Sequence, residues 1–165
     1  MCGIAGYIGG KQINFQRIKN GCDEMNHRGP DDAGIFFKDY KKLHVVLGHK
    51  RLSIIDLDSR SKQPFYYNNS VLIFNGEIYN YLQLRSELAN LGHVFKTSSD
   101  TEVLSHALSQ WGNKALDKLE GMWALAWFDI KKNELILSRD RFGEKPLYIW
   151  KNEEGIFFAS EIKAL

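Results

Sequence analysis

The sequence predicts an α+β domain in which two mostly antiparallel β-sheets pack face to face with helices outside. Three observations point there: apolar runs of strand length at the start, middle and end of the chain, helical stripes between them, and short charged or glycine-containing turns joining the last strands. At 165 residues the chain suits one domain, large enough to bury about 70% of the surface its unfolded form exposes. Lys and Arg number 22 against 20 Asp and Glu, a formal charge of +2, with no long run of one sign. That balance does not indicate a nucleic-acid partner.

Ile4, Tyr7 and Ile8, set among glycines, predict a first strand that lets another backbone come close, with a turn at Gly9-Gly10. Gly6 to Lys11 has the look of a phosphate loop but lacks its spacing. Phe15, Ile18, Cys22 and Met25 step like an amphipathic helix that ends before the loop His27 to Asp32, where Pro30 follows Gly29. Strand-like runs follow at Gly34 to Phe37, Leu43 to Leu47 and Leu52 to Asp56, placing Arg51 at a strand edge. Val71 to Phe74 reads as a strand covered on both faces that delivers Asn75-Gly76-Glu77 at its end. Tyr81, Leu84, Leu88 and Leu91 predict a helix closed by Gly92. Val103, Leu104, Ala107, Leu108 and Trp111 predict another, started by a Ser99/Glu102 capping box with Asp100 in its first turn. Trp123 to Phe128, Glu134 to Ser138, Leu147 to Trp150 and Ile156 to Ala159 read as a meander, turning at Lys131 to Asn133 and Glu153 to Gly155.

Only Cys2 and Cys22 are cysteines, and no apolar signal segment follows a basic start, so a reducing, cytoplasmic setting is expected. No run of 18 apolar residues occurs, so no spanning helix is expected. Cys22 reads as structural. Cys2 has two readings: a small apolar residue opening a strand, or a nucleophile. Removal of Met1 would leave an α-amino group on the thiol's own residue, and an N-terminal amine of pKa about 7.7–8.0 can accept the thiol proton near neutrality. Arg51 and Asp100 also have bland readings, as a solvent-facing cation and a helix-dipole acid.

Seven ordered motifs then resemble one family: Met1 to Gly6, Arg28 to Asp32, His49 to Asp56, Phe74 to Asn80, Ser98 to Glu102, Glu120 to Ala124 and Ser138 to Tyr148. The chain resembles the class II glutamine amidotransferases, most closely the glutaminase domain of the asparagine synthetases. The resemblance implies an N-terminal-nucleophile (Ntn) hydrolase αββα sandwich over residues 1–165. It implies that Cys2 attacks the side-chain carboxamide of L-glutamine, with Asn75 and Gly76 as oxyanion donors. Arg51 would hold the α-carboxylate and Asp100 the α-ammonium, with Leu52, Ser53, Ile54, Ile55 and Glu77 completing the pocket. Gly76 is expected to leave room for the tetrahedral centre. Arg28 to Asp32 and Arg139 to Tyr148 are expected to be scaffold.

No metal is expected in this domain. The family's ATP and magnesium belong to a synthetase domain whose Ser-Gly-Gly-x-Asp-Ser loop this chain lacks, so a glutaminase half is expected, with that domain or a partner chain receiving the ammonia. The acceptor expected by resemblance is aspartate, although relatives amidate sugars or peptides. The alternative is a silent docking or regulatory domain that retains Met1. A cysteine protease has no matching histidine and asparagine arrangement.

Overall fold

The computed structural model describes residues 1–40, 42–52 and 62–165. One sheet has the order β2-β3-β1-β9-β8, formed by Asp32–Tyr40, Leu43–Arg51, Gly3–Gly9, Ile156–Ala159 and Tyr148–Lys151. The other has the order β4-β5-β6-β7, formed by Phe65–Tyr67, Ser70–Ile78, Gly121–Asp129 and Glu134–Arg139. Every pairing is antiparallel. The helices are α1 (Gln16–Glu24), α2 (Tyr81–Asn90), α3 (Asp100–Trp111) and the single turn α4 (Ala115–Lys118).

Period-two alternation sorts the strand side chains into three apolar layers. Ile4, Val45, Leu47, Val71, Ile73, Ala124, Ala126, Phe128 and Phe158 meet between the sheets. Their neighbours Leu72, Phe74, Trp123, Leu125 and Trp127 turn outward against α2, α3 and α4. On the other side Ala5, Tyr7, Val46, Phe157 and Ala159 pack on Ile18 and Cys22 of α1. The result is the predicted αββα sandwich, in which each fully buried Leu, Ile or Phe contributes about 1.5–3 kcal/mol.

Several boundaries differ from expectation. β3 continues through Gly48 to Arg51 because Gly48 lies under α1, where a Cβ would strike the Cys22 sulfur. β5 runs on to Ile78, so Asn75-Gly76 lies within the strand rather than at its tip, held throughout by β6. The last four strands are two hairpins in different sheets rather than one meander. The crossing is made at Asp140, whose carboxylate accepts the backbone N–H groups of Trp123, Phe142, Glu144 and Lys145 at 2.9–3.2 Å. Burial raises this carboxyl's pKa, but those hydrogen bonds outweigh it and hold it below the usual carboxylate range. Leu91 leaves the α2 stripe for solvent, while Gly92, at φ +91°, closes the helix as expected. The run predicted as a strand from Leu52 to Asp56 lies, beyond Leu52, outside the described residues.

The start of α3 is built by its own sequence. Ser99 accepts the Glu102 N–H at 3.3 Å, and Glu102 reaches back to the N–H groups of Lys96 and Thr97 at 2.9 and 2.7 Å. This variant of the capping box ties the preceding loop as well as the cap. It fixes Asp100 as the first helical residue.

Candidate functional site

The alternation that builds the core also builds one end of it. Cys2 continues the face of Ile4, His49 and Arg51 that of Val45 and Leu47, and Asn75 and Glu77 that of Val71 and Ile73. These polar residues therefore occupy the inter-sheet layer where the apolar ones stop. A cavity of about 150 Å³ opens there, lined by Cys2, Arg51, Leu52, Asn75, Gly76 and Glu77, with Asp100 and Thr101 from α3. Of the expected site residues, Ser53, Ile54 and Ile55 lie outside the described residues, and Cys2, Arg51, Leu52, Asn75, Gly76, Glu77 and Asp100 converge on this cavity.

The Cys2 sulfur sits at the end of β3, 3.4 Å from the Leu52 N–H and 3.7 Å from the Leu52 carbonyl. Its backbone is fixed by Arg28, which donates from Nε to the Cys2 carbonyl at 3.0 Å and from Nη1 to Glu161 at 3.0 Å. Arg28 and His27 in turn draw the Glu161 carboxyl below its ordinary pKa, against the opposing effect of burial. Arg28 thus does more than hold a scaffold loop: it places the residue that carries the thiol. Cys22 is the contrasting thiol. Buried under α1, it is pushed up to about 12, out of reach of thiolate chemistry near neutral pH.

The edge of β5 supplies the donors. In an antiparallel strand alternate residues turn their peptide groups to the same neighbour. Trp123, opposite Gly76, turns its N–H to Asp140 on the β7 side, so Gly76 is not a hydrogen-bonded partner of Trp123. Phe74, Gly76 and Ile78 therefore all face the β4 side, where β4 has already ended at Phe65 opposite Leu72. The Phe74 N–H goes to Gln63 Oε1 at 2.5 Å and the Ile78 N–H to Asp100 Oδ2 at 3.1 Å. Between them the Gly76 N–H is turned to the cavity edge. Beside it the Asn75 amide is 2% exposed, and its Nδ2 has no hydrogen-bond partner among the described residues. A buried donor without an acceptor is costly unless a ligand supplies one.

The neighbouring strand adds its own reason for glycine at position 76. A Cβ there would strike the Met122 carbonyl of β6 and crowd the Phe74 ring and Trp123 Cα, so the packing of β5 on β6 by itself requires glycine.

Asp100, 9% exposed, lines the same cavity from the start of α3. Burial, and secondarily the Glu77 charge, raise its pKa against the hydrogen bonds from the Ile78 and Thr101 N–H groups. An anion held at that cost favours a cationic ligand group. The structure adds residues that the motifs did not assign: Gln63, Ser99, Thr101, Met122 and Lys145 line the same cavity. Lys145, 8% exposed, donates to the Met1 sulfur at 3.4 Å, and Met1 lines the cavity beside Cys2. Arg28, Gln63 and Lys145 carried no local periodic signal. Arg28 and Lys145 stand inside quoted motifs, which could have marked them, whereas Gln63 stands outside all seven.

Among the described residues no three His, Cys, Asp or Glu side chains are grouped to hold a metal ion. No helix among them is long and apolar enough to cross a membrane.

Residues 1–165 match the sequence profile of the glutamine amidotransferase domain. The chain is 38% identical to asparagine synthetase [glutamine-hydrolyzing] 3 of Bacillus subtilis, an alignment that covers 100% of this chain and 27% of the relative. It is 42% identical to asparagine synthetase B [glutamine-hydrolyzing] of Escherichia coli, over 86% of this chain and 25% of that one. The chain thus spans about a quarter of the length of these curated relatives. Among solved structures it resembles the allosteric regulatory enzyme of purine biosynthesis, with a TM-score of 0.83 at 29% identity, covering 99% of this chain and 42% of that one. It also resembles the glutamine phosphoribosylpyrophosphate amidotransferase of B. subtilis, with a TM-score of 0.78 at 28% identity, with the same coverages.

Proposed function

The chain belongs to the glutamine amidotransferase family, and from that premise we propose that it hydrolyses L-glutamine to glutamate and ammonia at the cavity between its sheets. The observation that carries the reading is the buried Asn75 Nδ2, without a hydrogen-bond partner among the described residues, beside the Gly76 N–H on the cavity that Cys2 and Asp100 also line.

In this reading Met1 is removed and Cys2 becomes the first residue. Its α-amine takes the thiol proton, and the thiolate adds to the side-chain carboxamide carbon of glutamine. The carbonyl oxygen becomes an oxyanion, which accepts hydrogen bonds from Asn75 Nδ2 and the Gly76 N–H. The amine returns its proton to the nitrogen, ammonia departs, and a γ-glutamyl thioester remains. Water adds to that thioester through a second oxyanion at the same donors, releasing glutamate and the thiol. Arg51 receives the α-carboxylate and Asp100 the α-ammonium, an opposed pair that selects an amino acid over a simple amide.

We further assign the ammonia to an ATP-activated acceptor carboxylate, aspartate by analogy with the relatives' names, in a synthetase region or partner chain. ATP and magnesium belong with that region in this reading, and no residue here is assigned to them. The test is ammonia release from glutamine by chain whose intact mass shows loss of Met1. Cys2→Ala is expected to abolish release and thioester formation. Mature chain that releases no ammonia, or a Cys2→Ala variant as active as the parent, would instead favour a silent docking domain.

A further inference from the structure

β5 outruns its partner. The last β4 pairing is Phe65 with Leu72, and continuing that register brings Pro64 opposite Ile73 and Gln63 opposite Phe74. Proline has no N–H to continue the ladder. Two side chains take over at Phe74. Gln63 Oε1 accepts its N–H at 2.5 Å, and His49 Nε2 meets its carbonyl oxygen at 3.2 Å across the gap between the sheets. A carbonyl can only accept, so the Nε2 of His49 carries the proton and donates.

His49 is 1% exposed. Burial, opposed by the Phe74 hydrogen bond and the nearby Asp32 and reinforced by Arg51, holds its pKa at about 4, so the ring is neutral across the working range. The gripped carbonyl belongs to the peptide that joins Phe74 to Asn75. Its orientation sets the direction of the Asn75 amide and, one residue on, of the Gly76 N–H.

We propose that His49 and Gln63 are positioning residues for turnover: gripping both peptide groups of Phe74, they hold the Asn75 and Gly76 donors where negative charge develops. The inference rests on the glutaminase reading above. The donors must meet an oxyanion rather than the ground-state amide, so a small rotation of this peptide costs rate more than binding. Displacement by about 1 Å is enough to cost on the order of 100-fold.

The experiment measures kcat and KM for ammonia release with the mature chain. His49→Leu, which removes the donor, is expected to lower kcat by about 10- to 100-fold with KM changed less than about threefold. His49→Gln, whose amide nitrogen can reach the same carbonyl, is expected to restore kcat to within about threefold of the parent. In an Asn75→Ala background His49→Leu is expected to lower kcat by a smaller factor than in the parent, because one of the two donors it positions is already gone. The inference is overturned if His49→Leu leaves kcat unchanged, raises KM as much as it lowers kcat, or acts equally with and without Asn75. Should His49→Leu fail to fold by circular dichroism, Gln63→Met decides: a selective fall in kcat supports the inference and an unchanged kcat overturns it. Parent and Cys2→Ala chains run alongside. An inert parent removes the glutaminase reading and this inference together, whereas an active parent with unaffected variants removes the inference alone.

Discussion

The two halves of β5 share one strand and one alternation but have opposite roles. From Ser70 to Leu72 the strand is paired on both sides, by β4 and β6, and its side chains are core. From Phe74 to Ile78 it keeps β6 and loses β4, and side chains or a cavity meet its peptide groups. The contrast teaches that a site can be made by ending one strand early: the donors come from a strand whose neighbour stopped, and the rigidity comes from the neighbour that continued.

Substitutions can break or sharpen that contrast. The largest effect is expected in the open half, where Asn75→Ala should lower kcat by about 100- to 1000-fold with little change in KM, read by ammonia release. Its unfolding midpoint should hold steady, because the amide removed has no partner among the described residues. A large loss of stability instead would make Asn75 a packing residue and erase the contrast.

Acid comes next. His49 has its folded pKa depressed to about 4 from an ordinary 6.5, so the unfolded chain binds its proton first. Its contribution is therefore fully present above pH 6.5 and is lost as pH falls from 6.5 to 4, a decline of about 3 kcal/mol at most. Urea midpoints across that window should fall less steeply in His49→Gln; parallel curves would contradict a buried neutral ring.

Asp100→Asn should raise KM for glutamine by about 10- to 100-fold, the loss of one charged hydrogen bond. The apo chain should be no less stable at neutral pH, because the carboxyl's pKa is raised by burial and the asparagine oxygen can still accept the Ile78 N–H. An unchanged KM would remove Asp100 from the ammonium site. The smallest effect belongs to the covered half. Val71→Ala should cost about 1–2 kcal/mol of stability, from two buried methyl groups, and leave kcat untouched.

This contrast also marks how far the sequence is legible. Alternation in Val71 to Phe74 and Trp123 to Phe128 tells which face is buried, and the Tyr81, Leu84, Leu88 stripe tells a helix from a strand. Neither tells which strand lies alongside. The early end of β4 and the crossing at Asp140 are settled by pairing and by a carboxylate gathering distant N–H groups, for which no local period exists. The site divides likewise. Cys2, Arg51, Asn75, Gly76 and Asp100 stand inside compact motifs whose chemistry is explicit. Arg28, Gln63, Lys145 and the role of His49 depend on partners 11 to 144 residues away. The packing constraint on Gly76 is illegible in the same way, since it comes from Met122 across the sheet.

The place of β1 in its sheet has a consequence for biosynthesis. Gly3–Gly9 lies between β3 and β9, and the Ile4 N–H and carbonyl are both taken by Ser160, 156 residues later. At translation rates of about 5–20 residues per second, the amino terminus waits roughly 10–30 s before its flanking strand exists. During that interval β1 has only β3 to pair with, and its other edge stays open until β9 is made. In the proposed reading, where Met1 is removed, the order of synthesis gives an aminopeptidase that interval before β1 is enclosed between β3 and β9.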